Sequence, residues 1–374
     1  MPAIQNVGIV GSGAAGLTAA ILLAEGGLDV EVLERTDGPS TVGSGITLQG
    51  NALRVFRELG VWEQMEDQGF PFSTLGLRAP DSDGTVLAVL DDQRTGGDDL
   101  PATLGMYRPE LARIVRDRAE EVGVSIRYSS AVVEVVDHPE HVDVVLEDGT
   151  TRSYDLLIGA DGLHSAVRQA IGIDVEPQPT GMGIWRAFVP RPAEVVQTDL
   201  VYGGPCYIAG YCPTGPDSMY AYLVEAAQDR HSERDSHLMA ELAAGYGGPW
   251  RQIQSSLEQG APVNYTKFTA HLVEGAWHRG RAVIIGDAAH SCPPTVAQGV
   301  AMAVEDAAVL AELLLRADSF DESILQEFHD RRVPRARKVV ESSVQLGQWM
   351  LDGKKDADVP GLMAGVSALV SVPA

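Results

Sequence analysis

Short apolar runs and stretches with helical spacing alternate from the start of the chain. Residues 6–10 read as a strand, 14–25 as a helix and 30–33 as a second strand, a βαβ unit. Residues 51–59 place Leu53, Phe56 and Leu59 on one helical face. From Ser73 to Leu104 the pattern is strand-like, then lapses into the polar run 91–99, a loop by composition. Residues 108–122 form an amphipathic helix with Leu111, Ile114, Val115 and Ala119 inward. Strands follow around Ile126 and at 132–136 and 142–146, with Asp148-Gly149 as a turn. Residues 156–159 are apolar throughout, as a strand covered on both faces requires.

From about 180 to 270 the pattern becomes aromatic and alternating. Strands are expected at 184–189, 206–211 and 219–224, and helices at 236–244 and 250–257. A last buried strand, 282–285, leads into the longest helical stretch, 300–315, and 321–351 is mostly helical. Nucleotide-type signals at the beginning, middle and end enclose a strand-rich insert. The expected fold is therefore α/β: a discontinuous Rossmann-like domain (1–72, 98–179 and 271–345), an inserted β-rich substrate domain (73–97 and 180–270) and a C-terminal helical segment with a tail at 346–374. The tail is apolar from Pro360 onward but too short to cross a bilayer, and is expected to pack on the body or on another subunit.

Composition narrows the function. The 374 residues carry a net charge of −24, which repels phosphate backbones and anionic lipid, so neither nucleic acid nor membrane is expected as a partner. Three cysteines, none in a C-x-x-C pair, argue against a disulfide framework and a metal site. With no basic leader at Met1 and no long apolar span, a cytoplasmic protein, monomer or homodimer, is expected.

The first chemical signal is Gly11-Ser-Gly13-Ala-Ala15-Gly16, between a strand and a helix. Such a turn needs one glycine for its geometry, one to let backbone N–H groups approach a pyrophosphate, and one for close helix packing. Glu34, followed by Arg35, ends the second strand, where an acid binds a ribose diol; the alternative is a solvated strand-end glutamate. The combination points to a bound dinucleotide.

Two further motifs complete a pattern. Asp155 to Arg168 contains Asp161-Gly162 at a strand end, and Gly280 to His290 contains Gly286-Asp287. Together the three resemble the aromatic-ring hydroxylases, single-component FAD-dependent monooxygenases typified by para-hydroxybenzoate hydroxylase, over about residues 5–345. The resemblance implies that Asp287 accepts hydrogen bonds from the ribityl chain, and that Asp161 and Arg168 serve the pyrophosphate and nicotinamide region. It implies that Arg108 reaches the flavin, and that Gly45 and Thr47 lie near its ring, Thr47 facing substrate. Pro294 and the helix start at Gly299, Val300 and Ala301 would face the flavin pyrimidine. Free N–H groups there stabilise negative charge on reduced flavin. Ala297 departs from the pattern, standing where a glycine is usual.

The implied activity is hydroxylation of a small phenolic or N-heteroaromatic substrate, with FAD as cofactor, NADH or NADPH as reductant, O2 as co-substrate and a flavin C4a-hydroperoxide as oxygen donor. Halogenation or isoprenoid reduction on the same scaffold is the alternative; the halogenase W-x-W-x-I-P signature is absent. A non-catalytic flavin-binding protein is the third reading. Substrate contacts are expected from the insert: Arg186 beside Trp185, and one of Tyr207, Tyr211, Tyr220 and Tyr222, with Tyr220 chosen. His290 is read as structural rather than as a base.

Overall fold

A computed structural model describes residues 4–39, 43–229 and 234–374; residues 1–3, on which the leader reading partly falls, lie outside them. Strand Asn6–Val10 is flanked on one side by Asp29–Leu33 and on the other by Leu156–Gly159, both parallel to it. The six-stranded sheet runs His278–Arg279, Ala282–Ile284, Leu156–Gly159, Asn6–Val10, Asp29–Leu33, Ser125–Arg127, and only the first edge strand is antiparallel. The chain's first strand thus has neighbours on both sides, which opens a crevice at its carboxyl end. Gly11 stands at that point. Helix Ala14–Glu25 crosses over with Leu17, Ile21 and Leu23 buried.

The aromatic insert builds most of an eight-stranded sheet: His290–Ser291, Val263–Leu272, Gln178–Pro190, Ser218–Ala226, Ile208–Pro213, Thr198–Tyr202, Thr74–Arg78, Val86–Asp91. Period-two alternation gives it two unlike faces. The face of Trp185, Tyr211, Met219 and Leu223 packs on helices Ser236–Ala243 and Trp250–Glu258 through Met239, Trp250, Ile253 and Leu257. The opposite face carries Arg186, Phe188, Tyr220 and Tyr222. A three-stranded sheet of Gly45–Gln49, Thr103–Tyr107 and Phe70–Phe72 lies over part of it.

Helices Gly299–Arg316 and Ser323–Leu351 close the nucleotide side, the second continuing through Pro334. The tail is more regular than its sequence suggests. Val359–Ser371 is a helix capped by Asp358 Oδ1 on the Gly361 N–H (2.9 Å), with Val366 and Val370 buried against the body.

Candidate functional site

Three turns meet at the crevice. Gly11 has φ +104°, and a Cβ there would lie 2.5 Å from the Ala160 carbonyl oxygen; one on Gly16 would lie 2.1 Å from the Gly11 oxygen. The fold itself demands those two glycines. Gly13 is different: its φ of −77° suits any residue, and a Cβ would meet nothing within 4 Å. Gly299 is also open, at the start of a helix without a side-chain cap, as is the helix after Gly13. Two bare helix starts with unneeded glycines describe a surface kept clear for an anionic ligand.

Ala15 and Gly286 bring these elements together. Gly286 has φ +59°, and its missing Cβ would lie 3.1 Å from Ala303 Cβ and 3.3 Å from Ala15 Cβ. The next residue, Asp287, is exposed to the crevice and has no hydrogen-bond or ion-pair partner among the described residues. Surrounding protein raises its pKa, against the pull of His290 and Arg108. Arg108 is likewise exposed, with its side chain unpaired among the described residues. Pro294 is exposed at the mouth of the third turn, Val300 half-buried and Ala301 buried. Ala297 occupies the left-handed region at φ 53°, ψ 32°. That explains physically why glycine suits this position, and costs alanine roughly 1–2 kcal/mol. An open pair of glycines, free N–H groups and an unpaired carboxylate fit an extended flavin dinucleotide.

Other residues have structural employment. Glu34 Oε2 accepts from Ser12 N (3.0 Å) and Oγ (2.7 Å), and Oε1 from Thr36 N (2.9 Å) and Oγ1 (3.0 Å). Burial works to raise its pKa, but the Thr36 and Ser12 donors prevail and hold the carboxyl low. A ribose would have to share this carboxylate with the chain's own hydroxyls. Neighbouring Arg35 is exposed. Asp161 is occupied too: it accepts from Ser165 Oγ (2.5 Å), Ala166 N (2.7 Å) and Val167 N (3.1 Å), fixing the short helix Ala166–Ala170. Arg168 is fully buried and bonds the carbonyls of Leu163 and Ala288, both at 2.9 Å, tying the second motif to the third. Gly45 also has a local reason: its Cβ would lie 2.2 Å from Tyr220 Cβ, so it lets the small sheet seat on the large one.

A buried network that the motifs do not mention holds the third turn. Asp306 accepts from Gly286 N (2.9 Å), His290 Nε2 (2.7 Å) and Arg332 Nε (2.7 Å), and all but the turn's edge is sealed from water. Its pKa is lowered because His290 and Arg332 outweigh desolvation. His290 is thus a structural histidine. Glu305 takes Arg332 and Arg335, while Asn51 bridges Glu305 and Gln298 at 3.3 and 3.0 Å. The signal in the sequence was the charged pair Glu305-Asp306 inside an apolar helix.

On the substrate side, Arg186 donates to Thr266 Oγ1 (2.5 Å) and has no acidic partner among the described residues. Tyr220 lies beside it, and the Tyr220 and Tyr222 rings are 5.1 Å apart. Burial pushes both phenols above their ordinary range, so both stay protonated at neutral pH. Thr47 touches the Cys212 thiol, which burial raises to about 11. Tyr211 is corrected out of the candidate set: it is fully buried on the other face, bonded to Asp199 at 2.8 Å. Trp185 also faces away, with Nε1 on Glu225 at 2.9 Å. Tyr207 is half-buried and packs with Met182 and Ile184.

Comparison with known proteins agrees with this geometry. The model of the family described as "FAD binding domain" matches residues 5–343. YetM of Bacillus subtilis, named provisionally as an FAD-dependent monooxygenase, is 34% identical over 361 residues, 95% of this chain and 96% of that protein. The 2-heptyl-3-hydroxy-4(1H)-quinolone synthase of Pseudomonas aeruginosa is 30% identical over 350 residues, 92% and 90% of the two chains. The structure of 2-methyl-3-hydroxypyridine-5-carboxylic acid oxygenase superposes with a TM-score of 0.81 at 25% identity, covering 97% of this chain and 96% of that one. Among the described residues no helix is long and apolar enough to cross a membrane. With the glycine turn, the Asp-Gly turn and the Gly-Asp turn gathered at one crevice, this chain belongs to the FAD-binding family of aromatic monooxygenases.

Proposed function

We propose that the protein hydroxylates a small phenolic or N-heteroaromatic ring, consuming NADH or NADPH and O2. The observation that carries this reading is the placement of Arg186, a cation without an acidic partner among the described residues, beside two protonated tyrosines on the sheet face that meets the strands of Gly45 and Thr47.

When bound, FAD supplies the redox chemistry, accepting electrons from the nicotinamide and using dioxygen to deliver one oxygen atom. The chain's own residues hold and orient. Gly13 and Gly299 leave room at two helix starts whose N–H groups meet negative charge. Asp287 would accept hydroxyl donors of the cofactor, and Arg108 lies near enough to Asp287 and Tyr220 to act on both. Arg186 favours the ionised form of a ring hydroxyl, which makes the ring electron-rich. Tyr220 or Tyr222 donates a hydrogen bond and, being protonated, serves as donor rather than as base. Thr47, half-buried between the sheets, borders this space without supplying a base. The names of the quinolone synthase and the hydroxypyridine oxygenase support a nitrogen-containing ring.

Asp287→Ala should remain folded yet lose bound FAD; stoichiometric retention of FAD would remove Asp287 from the site. Nicotinamide oxidation and oxygen uptake, measured over a panel of phenols and hydroxylated N-heterocycles, should rise with one member and yield a product one oxygen atom heavier.

A further inference from the structure

The register of the eight-stranded sheet aligns a row of partly exposed side chains that runs on beyond the residues the hydroxylation reading uses. Antiparallel and parallel pairing align one row of same-face residues across six strands: Arg186, Tyr222, Gly210, Leu200, Leu77 and Ala88. The row on one side, containing Tyr220 and Cys212, is roofed by the small sheet, where Gly45 meets Tyr220, Gly105 meets Cys212, and Phe72 packs on both. The row on the other side, with Ile184, Val224 and Ile208, is roofed by Met350 and Leu351 at the end of helix Ser323–Leu351. Arg186 and Tyr222 lie half-buried between these roofed rows, and Leu200, Leu77 and Ala88 continue the row half-buried beside exposed Tyr202 and Leu90, so that the groove is walled at its Arg186 end and open at its Leu77 end. Gly210 leaves the gap over which the Tyr222 ring lies, 2.4 Å from where a Cβ would be.

Polarity changes along this row. Arg186 and Tyr222 are at one end, and beyond Gly210 only apolar side chains follow. We infer that the groove receives an alkyl chain carried by the substrate, so that the preferred substrate is an amphipathic aromatic whose polar ring sits at Arg186 and Tyr222 and whose apolar tail runs across Leu200 to Leu77. This rests on the ring position given under Proposed function. Three strand spacings of ~4.8 Å separate Tyr222 from Leu77, about 14 Å, long enough for an extended chain and far longer than a bare ring needs. A free hydroxybenzoate-sized substrate would leave Leu200, Leu77 and Ala88 in contact with water.

The test is equilibrium binding to the FAD-loaded protein, read calorimetrically and by the flavin difference spectrum, of two series: 2-alkyl-4-quinolones and 4-alkylphenols from methyl to nonyl. Affinity should rise by up to about fourfold per methylene until the chain passes Leu77. Leu77→Asp should abolish the increment for long chains while binding the methyl members like the parent. Leu200→Phe, which fills the groove without introducing charge, should do the same and guards against misfolding of the first variant. Dissociation constants independent of chain length in both series, no binding by any member, or an unchanged slope in both variants would overturn the inference. Failure of the hydroxylation reading would be distinct, since it would appear in FAD content and product mass rather than in this slope.

Discussion

The two faces of the eight-stranded sheet share every strand yet do opposite work. On one, Trp185, Tyr211, Leu223 and Tyr265 are almost completely buried under two helices, and each polar tip named there has a local partner: Trp185 on Glu225, Tyr211 on Asp199, Tyr265 on the Gln228 N–H. On the other, Arg186 has no acidic partner among the described residues, and Tyr220 and Tyr222 are grouped around it. Paired polar groups suit a face that stabilises, Trp250 Nε1 excepted, which has no hydrogen-bond partner among the described residues; a cation without an acid suits a face that takes a ligand. Adjacent residues 185 and 186 belong to different machines because strand side chains alternate.

The largest effect that would break this contrast is on the closed face. Trp250→Ala removes a fully buried ring from between Tyr211 and Tyr246 and should cost about 3–5 kcal/mol in denaturant unfolding. Unfolding unchanged within about 1 kcal/mol would show that this face is not the stabilising one. Across the sheet, Arg186→Met should leave the unfolding midpoint in place and weaken binding of an ionised ring by about 1.5–3 kcal/mol, the worth of a charged hydrogen bond. A paired comparison sharpens the point. Tyr211→Phe deletes a donor to buried Asp199 and should cost about 1–2 kcal/mol of stability, whereas Tyr222→Phe should cost less than about 0.5 kcal/mol and show its effect in ligand affinity. Smallest of all is Thr47→Val: its hydroxyl meets a weakly bonding thiol, so stability should stay within about 0.5 kcal/mol, and any response belongs to substrate binding.

Much of this was legible in the sequence. Continuous apolar runs marked the central parallel strands, and the three motifs marked the crevice, because both signals are local. What escaped was set by which partner each side chain takes and by distant contacts. Nothing near Asp161 reveals that its carboxylate will be taken up by the helix start five residues on, and a strand-end Glu34 suits a ribose in sequence while in the fold it already accepts from Ser12 and Thr36. The tyrosines at 211 and 222 look alike until pairing assigns them to opposite faces. Strand Thr74–Arg78 joins Thr198–Tyr202 in parallel, pairing residues 123 apart in sequence, which no periodicity foretells. The helix Val359–Ser371 was hidden by Gly361 and Gly365, both poor helix formers held there by the Asp358 cap and by packing of Val366 and Val370.

The central claim of the proposed function is that an aromatic ring binds on the Arg186 face of the large sheet. Titrating 4-hydroxyquinoline into FAD-loaded parent and Arg186→Met proteins, and following the flavin absorbance, tests it most directly. A saturable spectral change in the parent that requires about tenfold or more ligand in the variant, at equal FAD content, is the predicted result. Identical titrations in the two proteins would contradict it.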